Sequence, residues 1–84
     1  MNKLFTDSSW IEFQGWYRKD RKTYKRIFQL LNDIDRDPFD GIGKPEPLKE
    51  NLSGYWSRRI NDEHRLVYKV DGENIIVIQC MYHY

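Results

Sequence analysis

The chain has almost no cysteine, no long apolar run, little net charge, and proline in only one stretch. A single cysteine, Cys80, excludes an internal disulfide within the 84 residues. Its setting in Ile75-Ile76-Val77-Ile78-Gln79-Cys80 suits a small, buried, apolar side chain. One cysteine and two histidines, His64 and His83, fall short of a zinc set. There is no Ser/His/Asp ordering and no phosphate-cradling glycine loop. No cofactor or metal is therefore expected. No window approaches the ~20 apolar residues of a membrane span, and residues 1–20 lack the apolar core of a signal peptide. The expectation is a cytoplasmic protein with no membrane partner.

What is present is aromatic and unevenly charged. Three tryptophans, six tyrosines and four phenylalanines supply large buried area to a chain whose mean hydropathy is -0.85. The length allows one domain, residues 1–84. The net charge of +1 is uninformative, but its distribution is not. Arg18, Lys19, Arg21, Lys22, Lys25 and Arg26 crowd one stretch, with Asp20 as its only acid. Asp33, Asp35, Asp37 and Asp40 crowd the next, against Arg36. A polarised surface suits a protein that meets a polyanion on one side. A solvated helix face reads the same way.

Residues 2–6 suit a short first strand. Ser9 and Glu12 have capping-box spacing, and Trp10, Phe13 and Tyr17 follow at helical intervals. Asp20 can break or recap the chain. A second helix is marked by the stripe Tyr24, Ile27, Phe28, Leu31 and Ile34, and Pro38 stops it because Asp37 is biased out of the helical region. Residues 38–54 hold all three prolines together with Gly41, Gly43 and Gly54, which reads as an ordered loop. Strand patterns follow at 55–60, 64–70 and 74–82. The fold class is α+β, a helical hairpin packed on a twisted antiparallel sheet.

Register follows from the separation of apolar from polar side chains. A three-residue loop at 71–73 pairs Val70 with Asn74 and gathers Leu66, Tyr68, Val70, Ile76, Ile78 and Cys80 on one face. Arg65, Lys69, Gln79 and His83 take the other. A three-residue loop at 61–63 pairs Arg59 with Arg65. Like charges directly opposite are destabilising, and a bound phosphate would account for them. In this register Gln79 opposes Arg65, and His83 lies four residues farther along, roughly 13 Å at strand rise.

Those residues form a set that can cleave RNA. A base takes the 2′-hydroxyl proton, cations stabilise the crowded phosphorus, and an acid protonates the leaving 5′-oxygen. Glu46, fixed between Pro45 and Pro47, suits the base, with Lys44 and Lys49 near it. Arg65 and Arg59 suit the clamp, since guanidinium grips two phosphate oxygens at once. His83, with an unperturbed pKa of about 6.5, suits the acid. Singly, each is ordinary: such a glutamate is usually a surface loop residue, sheet arginines are usually salt-bridged, and a terminal His-Tyr is usually a frayed tail.

The combination is specific. Gly43-Lys44-Pro45-Glu46-Pro47-Leu48-Lys49, Asn51-Leu52-Ser53-Gly54, Trp56-Ser57-Arg58-Arg59-Ile60, Glu63-His64-Arg65-Leu66-Val67-Tyr68 and Tyr82-His83-Tyr84 resemble the YoeB-like toxins of bacterial toxin–antitoxin modules, within the RelE/ParE superfamily. The resemblance spans essentially the full length. It implies a microbial-ribonuclease-like fold and ribosome-dependent cleavage of mRNA in the decoding site. It also implies neutralisation by a YefM-like antitoxin, and homodimers. Matched motif by motif, Glu46 corresponds to a general base, His83 to a general acid and Arg65 to a phosphate stabiliser, with Lys49, Arg59 and Tyr84 in support. The basic residues between 18 and 26 are expected to contact ribosomal RNA. The alternatives are a non-catalytic toxin of the gyrase-inhibiting kind on the same fold, or an RNA-binding translation repressor. A binder has no need of an acid–base pair.

Overall fold

The computed structural model describes residues 1–82; His83 and Tyr84 lie outside the described residues. In chain order the elements are β1 (Asn2–Phe5), α1 (Asp7–Lys19), α2 (Arg21–Arg36), β2 (Glu46–Pro47), a 3-10 turn (Glu50–Leu52), β3 (Trp56–Arg59), β4 (Arg65–Asp71) and β5 (Asn74–Gln79). The five strands form one sheet in the order β1-β5-β4-β3-β2, with β1 parallel to β5 and the other pairs antiparallel. The two helices pack as a hairpin on one sheet face. The α+β expectation holds.

Helix α1 begins one turn earlier than a Ser9–Glu12 capping box requires. Thr6 is the N-cap and accepts the Ser9 N–H at 3.1 Å. Ser9 and Glu12 are thereby released for tertiary work. The buried Ser9 hydroxyl donates to the Val77 carbonyl at 2.7 Å, and Glu12 accepts the Cys80 N–H at 2.8 Å. Ser9, Phe13 and Trp16 form the inward stripe of α1, while Trp10 and Tyr17 are half exposed. Asp20 does recap the chain, accepting the N–H of Lys22 and the hydroxyl of Thr23. The Thr23 bond in particular holds its carboxyl below the ordinary carboxylate value.

Helix α2 buries Ile27, Leu30, Leu31 and Ile34 against the sheet. Phe28, expected in that stripe, instead packs sideways on Phe13 and Tyr24, and Leu30 takes the inward position. The helix ends at Arg36, before Asp37 and Pro38, where the proline restriction puts it. The acidic stretch that follows is partly internal. Asp35 pairs with Lys3 and the N-terminal ammonium, and Asp33 pairs with Arg36 and the fully buried Arg58. Asp33 and Asp35 thus brace the fold.

The β4–β5 register differs from the expected one. Asp71 pairs with Asn74 and Val70 with Ile75, closing a two-residue turn in which Gly72 adopts a φ of 60°. Ile75 and Val77 therefore enter the core, and Ile76 and Ile78 do not. The run Ile75-Ile76-Val77-Ile78 has no alternation from which parity could be read. A bulge between the Val67–Gln79 and Tyr68–Val77 pairs then inserts Ile78, reverses the parity and returns Cys80 to the core beside Leu66. Arg65, Lys69 and Gln79 share the outer face as expected.

The bulge also leaves backbone groups to be satisfied past the end of β5. Both polar groups of Cys80 are met by α1: Glu12 accepts its N–H, and the Trp16 indole donates to its carbonyl at 2.9 Å. The Cys80 side chain is fully buried, and burial, reinforced by the Glu12 carboxylate, pushes its thiol up to about 12. Folded protein at pH 8 is accordingly expected to resist a thiol-specific disulfide reagent that labels the unfolded chain quickly. Rapid stoichiometric labelling of the folded form would contradict that burial.

Candidate active site

The face of the sheet opposite the helices carries the candidate residues because of strand parity. Glu46 pairs with Ser57, Ser57 with Val67, and Val67 with Gln79, making one row across β2, β3, β4 and β5. The next row sets Arg59 opposite Arg65. Ser57 and Val67 form the floor, at 2% and 0% exposure, between the longer polar side chains. With strands about 4.8 Å apart and a rise of about 3.4 Å per residue, the Glu46 and Arg65 Cα atoms are about 12 Å apart. A glutamate and an arginine reaching from the two ends can meet on one phosphodiester.

The short strand β2 was hidden within the expected loop. Pro45 and Pro47 restrict the backbone, and Leu48 donates its N–H to the Tyr55 carbonyl at 2.9 Å, extending the edge pairing to β3. The approach to β2 depends on Gly43. Its φ is 78°, its carbonyl accepts the Arg59 N–H at 2.6 Å, and a Cβ there would come within 2.8 Å of Leu30. Lys44 and Lys49 flank Glu46, both exposed.

The opposed arginines are accommodated asymmetrically. Arg59 is exposed, whereas Arg65 curls over the 61–64 turn and donates Nη1 to the carbonyls of Asn61 (2.7 Å), His64 (3.1 Å) and Asp62 (3.3 Å). Among the described residues, carbonyl dipoles rather than a carboxylate meet its charge. Within the described residues its side-chain hydrogen bonds use only Nη1, and a guanidinium's remaining N–H groups can grip an anion in bidentate fashion.

The described chain, through Tyr82, comes closer to Arg65 than the expected register allows. The tighter turn and the bulge each advance the register by one residue. The Arg65 N–H donates to the Tyr82 carbonyl at 3.1 Å. The position of His83 itself, like that of Tyr84, lies outside the described residues. Residues 80–82 are tied at every step: Cys80 by α1, Met81 and Tyr82 carbonyls by Gln79 Nε2 (3.0 and 3.2 Å), and the Tyr82 N–H by His64 Nδ1 at 2.7 Å. His64, considered in the sequence only as a metal ligand, is buried against Trp16, with ring centroids 4.7 Å apart. No local pattern could have shown this, because its partners are 18 and 48 residues away.

Of the six basic residues between 18 and 26, Lys22, Lys25 and Arg26 line one cleft of about 570 Å³ with Gln29 and Asn61. Arg18 is exposed, Lys19 lies over Trp16, and Arg21 stacks on Tyr17 at 3.9 Å and donates to its carbonyl. Among the described residues no helix is long and apolar enough to cross a membrane.

The family described as "YoeB-like toxin of bacterial type II toxin-antitoxin system" matches residues 5–84. Toxin YoeB of Synechocystis sp. is 56% identical over 84 residues, covering 100% of this chain and 98% of that protein. Among solved structures, a YoeB/ParE toxin from Agrobacterium tumefaciens superposes with a TM-score of 0.97 at 48% identity, covering both chains completely. The heterotetrameric YoeB–YefM complex and the YoeB dimer from Staphylococcus aureus superpose at 0.93 and 0.94, each at 48% identity over 100% of this chain and 98% of that one. A helical hairpin on one sheet face, with Glu46, Arg59 and Arg65 on the other, is thus the fold of a type II toxin–antitoxin toxin. The chain belongs to the YoeB-like family of these toxins.

Proposed function

We propose that this toxin, acting as one domain over residues 1–84, is an endoribonuclease that cuts mRNA in the decoding site of the ribosome. The observation that carries the proposal is the sheet register. Glu46, Arg59 and Arg65 share one open face, and Arg65 also binds the carbonyl of Tyr82, the residue before His83. In the proposed reaction Glu46 takes the proton of the 2′-hydroxyl. O2′ attacks the adjacent phosphorus, and the bond to O5′ breaks as His83 delivers a proton to it. Arg65, supported by Arg59, Lys49 and Lys44, holds the negative charge that builds on the non-bridging oxygens, with Tyr84 proposed in a supporting role. The products are a 2′,3′-cyclic phosphate and a 5′-hydroxyl. The RNA supplies its own nucleophile, so no cofactor enters the scheme.

The ribosome would hold the mRNA in line for attack, an entropic contribution that a small open site cannot supply alone. The cleft bearing Lys22, Lys25 and Arg26, together with Arg18, Lys19 and Arg21, would meet ribosomal RNA. A YefM-like antitoxin and a second copy of the chain are the proposed protein partners, by likeness to the Staphylococcus aureus assemblies. A gyrase-inhibiting toxin or a translation repressor would need neither an acid nor a base on this face.

The test is end-group mass spectrometry on ribosome-bound mRNA, with a 2′-deoxy substitution at the cut nucleotide and naked RNA in parallel. Cyclic phosphate ends, loss of cleavage on the 2′-deoxy template and much slower cutting of naked RNA are expected. Unimpaired cleavage of the 2′-deoxy template overturns the mechanism. Equal rates with and without ribosomes overturn the ribosome dependence.

A further inference from the structure

Tyr82 has a φ of 64°. For a bulky L residue the left-handed region costs roughly 1–2 kcal/mol, and it persists only where the surroundings over-determine it. Here two consecutive residues do so, alongside Gln79 Nε2, which also donates to the Tyr82 carbonyl. His64 accepts the Tyr82 N–H through Nδ1 at 2.7 Å, and the Arg65 N–H donates to the Tyr82 carbonyl at 3.1 Å. Strand alternation sends the two side chains to opposite faces, His64 toward Trp16 and Arg65 toward the open face.

We propose that His64 is a positioning residue for cleavage: its imidazole fixes the backbone of Tyr82, the residue that precedes His83 in the chain, against the strand that carries Arg65. The inference rests on the proposed role of His83 and deepens it. The ring has little freedom to do anything else. To accept from Tyr82, Nδ1 must be unprotonated, so the proton is on Nε2, which lies 3.2 Å from Glu63 Oε2. Trp16 meets the ring edge-on at 78°. The His64 backbone is held too, its N–H donating to Asn61 Oδ1 at 2.8 Å and its carbonyl accepting from Ile60 at 3.0 Å. A fixed imidazole whose one lone pair goes to a single amide acts on whatever that amide carries. The next residue is His83, one Cα step of about 3.8 Å away.

The choice of variants separates positioning from plain packing. Asparagine can put an oxygen where Nδ1 was and still accept from Tyr82. Glutamine puts its polar group where Nε2 was, toward Glu63, and leaves Tyr82 without its acceptor. His64→Gln is expected to lower the single-turnover rate on saturating ribosomes about 10²-fold without weakening ribosome binding, and His64→Asn to recover most of it. In a His83→Ala background, His64→Gln should cost little more, because the two act in series. Amide hydrogen exchange on the free toxin reads the anchor without cleavage: Tyr82 should exchange faster in His64→Gln than in His64→Asn, with Leu66 and Val67 unchanged. Parent-like cleavage by His64→Gln, equal loss in both variants, or full additivity with His83→Ala overturns the proposal. If the parent protein does not cleave ribosome-bound mRNA, the functional reading fails instead. The anchor then stands or falls on Tyr82 exchange alone, where equal rates in the two variants overturn it.

Discussion

Replacing Arg58 by alanine is expected to cost about 3–5 kcal/mol, the range for breaking a buried ion pair by removing one partner. Arg58 has 0% exposure in a small apolar core. Its Nη1 bonds Asp33 at 2.6 Å and the Ile42 carbonyl at 3.1 Å, its Nη2 the Asp37 carbonyl at 2.6 Å, and its Nε the Tyr68 hydroxyl at 3.1 Å. Tyr68 passes the network on to the Pro38 carbonyl at 2.6 Å. One guanidinium thus ties the end of α2 and the loop before β2 to the middle of the sheet. Lysine cannot replace the planar fork, so Arg58→Lys should recover only a minor part.

Because domains of this size are stable by only about 4–13 kcal/mol, chemical denaturation should show Arg58→Ala losing much of its margin. A loss below ~1 kcal/mol would mean that the network relaxes without consequence. The pH dependence has a definite sign. Arg36, then Arg58 and the Ile42 N–H, hold the Asp33 carboxyl well below its ordinary value of 3.8. That contribution is complete above the unfolded value and fades as pH falls through it toward the lower folded one. Arg58→Ala should therefore show a shallower fall in stability below about pH 4, near the ordinary carboxylate value.

Deleting His83 and Tyr84 is expected to lower single-turnover cleavage on ribosomes about 10²–10⁴-fold, the contribution of a positioned general acid. Folding should change little, since the hydrogen bonds that fasten the chain through residue 82 involve His64, Arg65, Gln79, Glu12 and Trp16 and survive the deletion. His83→Ala should reproduce most of the loss, with Tyr84 accounting for the remainder. The decisive comparison pairs the cleavage rate with ribosome affinity and thermal melting. A truncated toxin that binds and cleaves like the parent would return His83 to an ordinary tail residue and leave the mechanism without its acid.

Local chemistry made much of this legible in the sequence. Pro38 ended α2, Asp20 joined the helices, and the 61–63 loop set Arg59 opposite Arg65, because each depends on residues within a few positions of one another. The resemblance carried by Gly43–Lys49 and Glu63–Tyr68 led to the right family. Parity is illegible where no polar residue marks it: the pattern points Ile76 and Ile78 inward while the fold turns Ile75 and Val77 inward, and the bulge that brings residues 80–82 back to Arg65 has no sequence signature. Periodicity and proline act locally, so the helices, the strand-rich half and the side chains available for chemistry can all be read along the chain. Packing in three dimensions makes Arg58 an internal brace while Arg59 is exposed, sets Glu12 and Trp16 on Cys80, and sets His64 on Tyr82. Those outcomes depend on buried polar groups finding partners across 18 to 68 residues of chain, a requirement that packing satisfies and no local pattern records.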